Sequence, residues 1–242
     1  MSIQYQDALA KGKVDGAHPG GFHLTKKLLR ELKITKETKI LDAGCGTGQT
    51  SLYLAKTYGC TIVSVDKHPG MVRNFRNRLK GTTWPIETIQ ADIEQLPFSD
   101  ESFDLILAES VIAFTQIEKS LSELKRVLKP KGTLFCNEMT KEDHLKSYEA
   151  AEIMDFYDIK QMFTKQDWLH CLDQTGFKNI SVLKNNSLLD ELLLHANEET
   201  LLDSMEEVGY SEQVEEVLEK QSILLMKYAE KIGHIVVKGT KA

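Results

Sequence analysis

The chain has 242 residues, 41% of them hydrophobic and 27% charged, with a formal net charge of −6. That length admits one α/β domain with additions, or at most two small domains, and the apolar share is that of a globular protein rather than a disordered or fibrous one. The acidic balance speaks against a general binder of duplex DNA or RNA, which shows a basic surplus or a basic face.

Residues Met1 to Pro19 are polar and read as irregular. His18-Pro19-Gly20-Gly21 is a turn, and Phe22 to Lys33 follows as a short amphipathic helix with Leu24, Leu28, Leu29 and Leu32 on one face. The first strand is Lys39–Asp42, and a helix runs from Gln49 to Tyr58 after a glycine-rich turn. The second strand is Thr61–Asp66. Pro69 opens the next helix at a position where its missing donor costs nothing, and Val72, Phe75 and Leu79 form its buried stripe. Arg73, Arg76, Arg78 and Lys80 are then its solvated face. The third strand is Ile86–Gln90. A loop from Glu94 to Ser102 leads to the fourth, Phe103–Ala108, whose apolar run suits a strand covered on both faces.

Gln116 to Lys129 carries Ile117, Leu121, Leu124 and Leu128 at helical spacing, and Pro130 with Gly132 ends it. The fifth strand is Thr133–Asn137. Lys141 to Asp158 reads as helical, and Thr164-Lys165-Gln166-Asp167 is a capping box for a further helix that Gly176 stops. Phe177–Leu183 is the sixth strand. Asn185 to Gly233 reads as helical throughout, in three segments broken near Asn197 and Gly209-Tyr210, the last being Ser211 to Lys231. The seventh strand is His234–Lys238. Strands alternating with helices imply a parallel sheet covered on both sides. The four cysteines, Cys45, Cys60, Cys136 and Cys171, show neither a C-x-x-C pair nor zinc spacing, which points to buried free thiols in a reducing compartment. With no apolar leader and no run long enough to span a membrane, a cytoplasmic protein is expected.

The whole is organised around Lys39-Ile40-Leu41-Asp42-Ala43-Gly44-Cys45-Gly46-Thr47-Gly48, a strand running into a glycine turn and a helix. The glycines permit positive φ and let a ligand approach the backbone, and the free N–H groups of the helix face the turn. Asp66 closes the second strand twenty residues past Gly46, where a nucleotide-binding βαβ unit places the carboxylate that holds a ribose.

Leu41-Asp42-Ala43-Gly44-Cys45-Gly46-Thr47-Gly48 resembles the first motif of class I S-adenosylmethionine-dependent methyltransferases, with G-x-G-x-G in place of the dinucleotide G-x-G-x-x-G. Asp42, two residues before the first glycine, suits a cationic ligand without phosphate and would repel a pyrophosphate. The resemblance implies an α/β fold with a seven-stranded, mostly parallel, doubly wound sheet, the last strand antiparallel between the fifth and sixth. It is clear over Lys39–Glu138 and weaker for Thr164–Leu183 with His234–Lys238. Many family members join strands six and seven by a short hairpin; this chain inserts a helical block. The implied organisation is a single domain over 1–242, with 1–35 a helical cover, 36–140 the cofactor-binding core, and 141–163 and 185–233 helical additions forming a lid.

Ligands of such sheets bind beyond the carboxyl ends of the strands. The implied cofactor is S-adenosyl-L-methionine, leaving as S-adenosyl-L-homocysteine. Asp42, Gly44, Cys45, Gly46, Thr47 and Gly48 would hold its methionine part and Asp66 its ribose diol. Lys67, Met71, Ala91, Asp92 and Ile93 would surround the adenine side, and Glu109-Ser110 would lie beside the methyl donor. His18, in its Pro-Gly-Gly turn, and Glu109 are candidate catalytic residues; His144, His170 and His195 read as surface or packing residues.

The stretch Glu109-Ser110-Val111-Ile112-Ala113-Phe114 lacks both the Asn/Asp-Pro-Pro-aromatic run of amino-methylating nucleic-acid enzymes and the Pro-Cys nucleophile of cytosine-C5 enzymes. Glu109, Asn137 and Glu138 could imitate the magnesium site of catechol-type enzymes, though too few oxygen ligands can be assigned, and no metal is expected. The expected function is methyl transfer to a small molecule, in the manner of the ubiquinone/menaquinone-biosynthesis-like group, by a monomer or homodimer with neither nucleic acid nor membrane as partner. The alternatives are an RNA or protein methylase, a non-catalytic adenosylmethionine-binding protein and, more distantly, a nucleotide-linked dehydrogenase.

Overall fold

The computed structural model describes residues 3–196 and 209–242. Two helices, α1 (Tyr5–Gly12) and α2 (Gly21–Leu29), precede the sheet. Then follow β1 (Lys39–Ala43), α3 (Gln49–Tyr58), β2 (Thr61–Asp66), α4 (Pro69–Leu79), β3 (Ile86–Gln90) and β4 (Phe103–Glu109). A 3-10 turn at Ile112–Phe114 leads into α5 (Ile117–Val127), β5 (Leu128–Lys141), α6 (Ser147–Tyr157) and α7 (Lys165–Thr175). The chain closes with β6 (Phe177–Ser187), α8 (Leu188–Ala196), α9 (Glu212–Lys227) and β7 (Ile232–Lys241). Among the described residues no helix is long and apolar enough to cross a membrane.

The strands form one seven-stranded sheet in the order β3-β2-β1-β4-β5-β7-β6. The first five are parallel, and β7 runs antiparallel between β5 and β6, as the resemblance implied. Alternation along β1 sends Ile40 to one face and Leu41 to the other, and both are fully buried because helices cover both sides. One face packs Leu41 and Ile106 against Leu121, Leu124 and Trp168 of α5 and α7. The other packs Ile40 and Leu107 against Leu28 and Leu54 of α2 and α3. All four cysteines are buried and free. The register sets Ala43 beside Val65 and Ala108, and Glu109 beside Asn137, so the carboxyl ends of the central strands form one ledge.

A third apolar cluster gathers Tyr5 and Leu9 of α1, Ile153 and Tyr157 of α6, and Val217 and Leu224 of α9. It explains the main departures from expectation. Tyr5–Gly12, within the segment expected to be irregular, is a helix: Tyr5, Ala8 and Leu9 form a two-turn stripe too short to be stable alone, and docking on α6 and α9 makes the helix. The helix expected from Lys141 begins only at Ser147, because β5 keeps pairing with β7 as far as Lys141↔Ile232. Residues 185–233 are not helical throughout either. β6 continues to Ser187, pairing with Gly233, and α8 and α9 occupy the interior. The expected break near Asn197 lies outside the described residues, as does the segment before Gly209; Gly209 and Tyr210 themselves lie ahead of α9 and outside it.

Candidate active site

Gly44, Gly46 and Gly48 all adopt positive φ, at 77°, 53° and 86°. They serve different ends. A Cβ on Gly44 would lie 2.5 Å from the Val111 side chain, and one on Gly48 would lie 2.1 Å from the Phe75 ring. Nothing stands within 4 Å of the Cβ position on Gly46, so this is where the backbone is open to a ligand. Gly48 is the one expected binding residue outside the cavity lining; it is a glycine so that Phe75 can fill its place.

The cavity above this turn measures about 370 Å³. Asp42, Gly44, Cys45, Gly46 and Thr47 line it, as do Asp66, Lys67 and Met71. Ala91, Asp92, Ile93, Glu109 and His18 complete the expected set. Asp66 clamps the turn: Gly46 N–H donates to its Oδ2 at 2.8 Å and His68 N–H to its Oδ1 at 2.8 Å. Each carboxylate oxygen retains a second acceptor direction. Burial raises the Asp66 pKa. Lys67 meets Asp92 at 2.7 Å across the far wall.

Asp42 lies beneath the turn, where Ser51 Oγ donates to it at 2.5 Å and in turn meets Ser64 Oγ at 2.7 Å. Burial pushes its pKa up to about 7, opposed by the Ser51 hydrogen bond and assisted by the charges of Glu109 and Asp66. Glu109 takes the Thr25 hydroxyl at 2.5 Å on one oxygen and the Thr50 hydroxyl at 3.0 Å on the other, so it binds α2 and α3 to the end of β4. His18 Nδ1 stands 3.9 Å from Glu109.

A second cavity, of about 500 Å³, adjoins the first. The two share Tyr5, Gly16, Ala17, His18, Ser110, Phe114 and Tyr157, which mark the neck where they adjoin. Met139, Ile159, Leu188, Leu192, Leu225 and Ile232 give the second cavity its apolar walls. Within the 141–163 addition, Tyr157 lines both cavities, whereas Tyr148 is 66% exposed and Phe163 packs on Trp168.

Several site features escape sequence reasoning. Ser110 takes φ 52°, and the next three N–H groups, of Val111, Ile112 and Ala113, converge on the buried Glu138 carboxylate at 3.1, 2.9 and 3.2 Å. Asn137 donates to Pro19 O at 2.9 Å and accepts at 2.9 Å from His234, whose other nitrogen faces Glu191 at 3.3 Å. Burial lowers the His234 pKa. These bonds also occupy the oxygens of the imagined magnesium site, and among the described residues no group of three or more His, Cys, Asp or Glu is gathered for a metal. The N-terminal segment is tied to the glycine turn by Asp15, which accepts from Thr47 Oγ1 and from Arg78 at 2.8 Å. Gln49 lines the first cavity with its Oε1 buried and unpartnered. Its place at the start of the helix after the turn was the available signal.

Residues 41–136 match the methyltransferase domain family. The chain is 34% identical over 236 residues to the uncharacterised methyltransferase YodH of Bacillus subtilis (strain 168), covering 96% of this chain and 97% of that protein. It is 30% identical to the ubiquinone/menaquinone biosynthesis C-methyltransferase UbiE of Pseudomonas fluorescens (strain SBW25), covering 79% of this chain and 73% of that one. In fold it is similar to phosphoethanolamine N-methyltransferase 2 of Haemonchus contortus in complex with S-adenosyl-L-methionine, with a TM-score of 0.78 at 19% identity, over 98% of this chain and 56% of that chain. The first cavity fits that cofactor. Gly46 leaves an open cradle, the Gln49 oxygen is a buried acceptor with no partner, and the carboxylates of Asp42, Asp66 and Glu109 suit a cation.

Proposed function

This chain belongs to the class I S-adenosylmethionine-dependent methyltransferases, and from that premise we propose that it methylates a small molecule seated in the second cavity. The observation that carries the reading is the neck. A mostly apolar chamber of about 500 Å³ adjoins the cofactor cavity at His18, Ser110 and Phe114. Such a chamber suits a compact ligand and has no room for a folded RNA or protein substrate.

The cofactor supplies a methyl group already activated by the sulfonium charge. What remains for the protein is binding, alignment and exclusion of water. Gly46, Gln49 and Asp42 would receive the amino-acid end, Asp66 the ribose, and Asp92 with Ile93 the base. Glu138 holds the Val111–Phe114 wall of the neck in place through its three backbone bonds. α8 and α9, with Leu188, Leu192 and Leu225, act as the lid over the acceptor chamber. His18 at the neck is the candidate base for an acceptor that must lose a proton.

Incubating the protein with methyl-labelled adenosylmethionine and separate metabolite, RNA and protein fractions tests the proposal. Label should move into the metabolite fraction. Transfer into RNA or protein instead would overturn it.

A further inference from the structure

Resting on that reading, we infer that the acceptor is an amine with an apolar body and that the second cavity rejects phosphorylated and carboxylated molecules. The first ground is charge. Among the described residues lining the two cavities there is no arginine and a single lysine, Lys67, which is paired with Asp92 at 2.7 Å. An anion drawn from water into an apolar chamber needs a paired cation, and this one offers none. Two of the three histidines of the second cavity already face carboxylates: His234 stands 3.3 Å from Glu191 and His18 3.9 Å from Glu109.

The second ground is the neck itself, where Tyr5, Phe114 and Tyr157 line both cavities. The Tyr5 and Tyr157 rings meet edge to face at 4.8 Å, and Phe114 lies 6.4 Å from Tyr157. Gln221 Nε2 donates to both phenol oxygens, at 2.9 and 3.3 Å, which fixes the rings. Burial raises both phenol pKa values, so the rings stay neutral and keep the electron-rich faces that attract a cation.

The third ground is what becomes of the charge. In N-methylation the N–C bond forms as the S–C bond breaks, the sulfur departs with the bonding pair as a thioether, and the positive charge passes to nitrogen. The charge stays inside the neck, where aromatic rings and Glu109 stabilise it. In O- or C-methylation it leaves as a proton, and such surroundings hold nothing. An ammonium acceptor must first give up a proton, and His18, with Glu109 beside it, is placed to take it.

The test uses protein saturated with adenosylhomocysteine, whose binding is measured first. Four probes follow by calorimetry: hexyltrimethylammonium, 1-hexanol, hexanoate and hexyl phosphate. The ammonium should bind about tenfold more tightly than the alcohol, with both anions weaker still. Phe114→Leu should reduce that preference severalfold, weakening the ammonium more than hexanol, and Phe114→Tyr should keep it. Equal binding of ammonium and alcohol, tighter binding of either anion, or binding of none of the four overturns the amine assignment. Failure to bind adenosylhomocysteine at all overturns instead the function on which it rests.

Discussion

Asp42 gives a prediction in which stability and binding move in opposite directions. Its carboxyl is fully buried under the glycine turn, and burial raises its pKa from 3.8 to about 7. At about 1.4 kcal/mol per pKa unit, ionising it in the folded protein costs on the order of 4 kcal/mol. The sign follows from proton binding. The folded state holds a proton that the unfolded state has released between pH 3.8 and about 7, so stability falls as pH rises through that window and levels off above it. Asp42→Asn cannot ionise and still accepts from Ser51. From pH 5.5 to 8.5 the stability of the variant relative to the parent should therefore rise by about 2 kcal/mol. Urea unfolding at several pH values measures it. Adenosylhomocysteine affinity should behave oppositely: in the parent it should strengthen as pH rises through about 7, because the ligand's ammonium favours the ionised carboxylate, and in the variant it should be weaker and flat. A stability difference that does not change with pH, or that shrinks as pH rises, would mean that Asp42 does not titrate from a raised pKa in the folded protein.

Gly46→Val should fold with a loss of about 1–2 kcal/mol, from forcing a β-branched residue to positive φ, yet lose adenosylhomocysteine binding because its side chain enters the open cradle; retained parental affinity in calorimetry would count against the cofactor site. Asp66→Ala should weaken adenosylhomocysteine by about 1.5–3 kcal/mol and also loosen the turn, since the Gly46 and His68 N–H groups lose their acceptor; unchanged binding in the folded variant would exclude Asp66 from the ribose. Glu138→Gln can satisfy Val111 and Ile112 with one oxygen but must turn an amide toward Ala113 N–H, so it should cost about 1–3 kcal/mol of stability, and hydrogen exchange at Val111–Phe114 should accelerate; protection equal to the parent would remove Glu138 as the anchor of that wall.

What the sequence disclosed is what local pattern can encode. The apolar runs at Ile62–Val65 and Leu105–Ala108 announce buried parallel strands, and three glycines after Asp42 announce a turn. Nearly every expected cofactor residue lines one cavity, because the strand register alone brings their ends together. The illegible parts depend on distant partners. α1 is a helix because α6 and α9 receive Tyr5 and Leu9, and nothing within residues 5–12 says so. The extra length of β5, β6 and β7 comes from antiparallel pairing, which continues wherever a partner backbone continues. The chain of Pro19, Asn137, His234 and Glu191 joins four separate segments. The unequal roles of Gly44, Gly46 and Gly48 depend on Val111 and Phe75, which lie elsewhere in the sequence.

Cofactor and acceptor are proposed to occupy two chambers that meet at one neck, and a crystal structure with bound adenosylhomocysteine would show whether they do. The ribose should lie against Asp66, the amino group at Gln49 and the sulfur toward the neck of His18, Ser110 and Phe114, with the Leu188–Leu225 chamber beyond it. A sulfur directed away from that neck, or a cofactor bound outside the Gly46 turn, would contradict that arrangement.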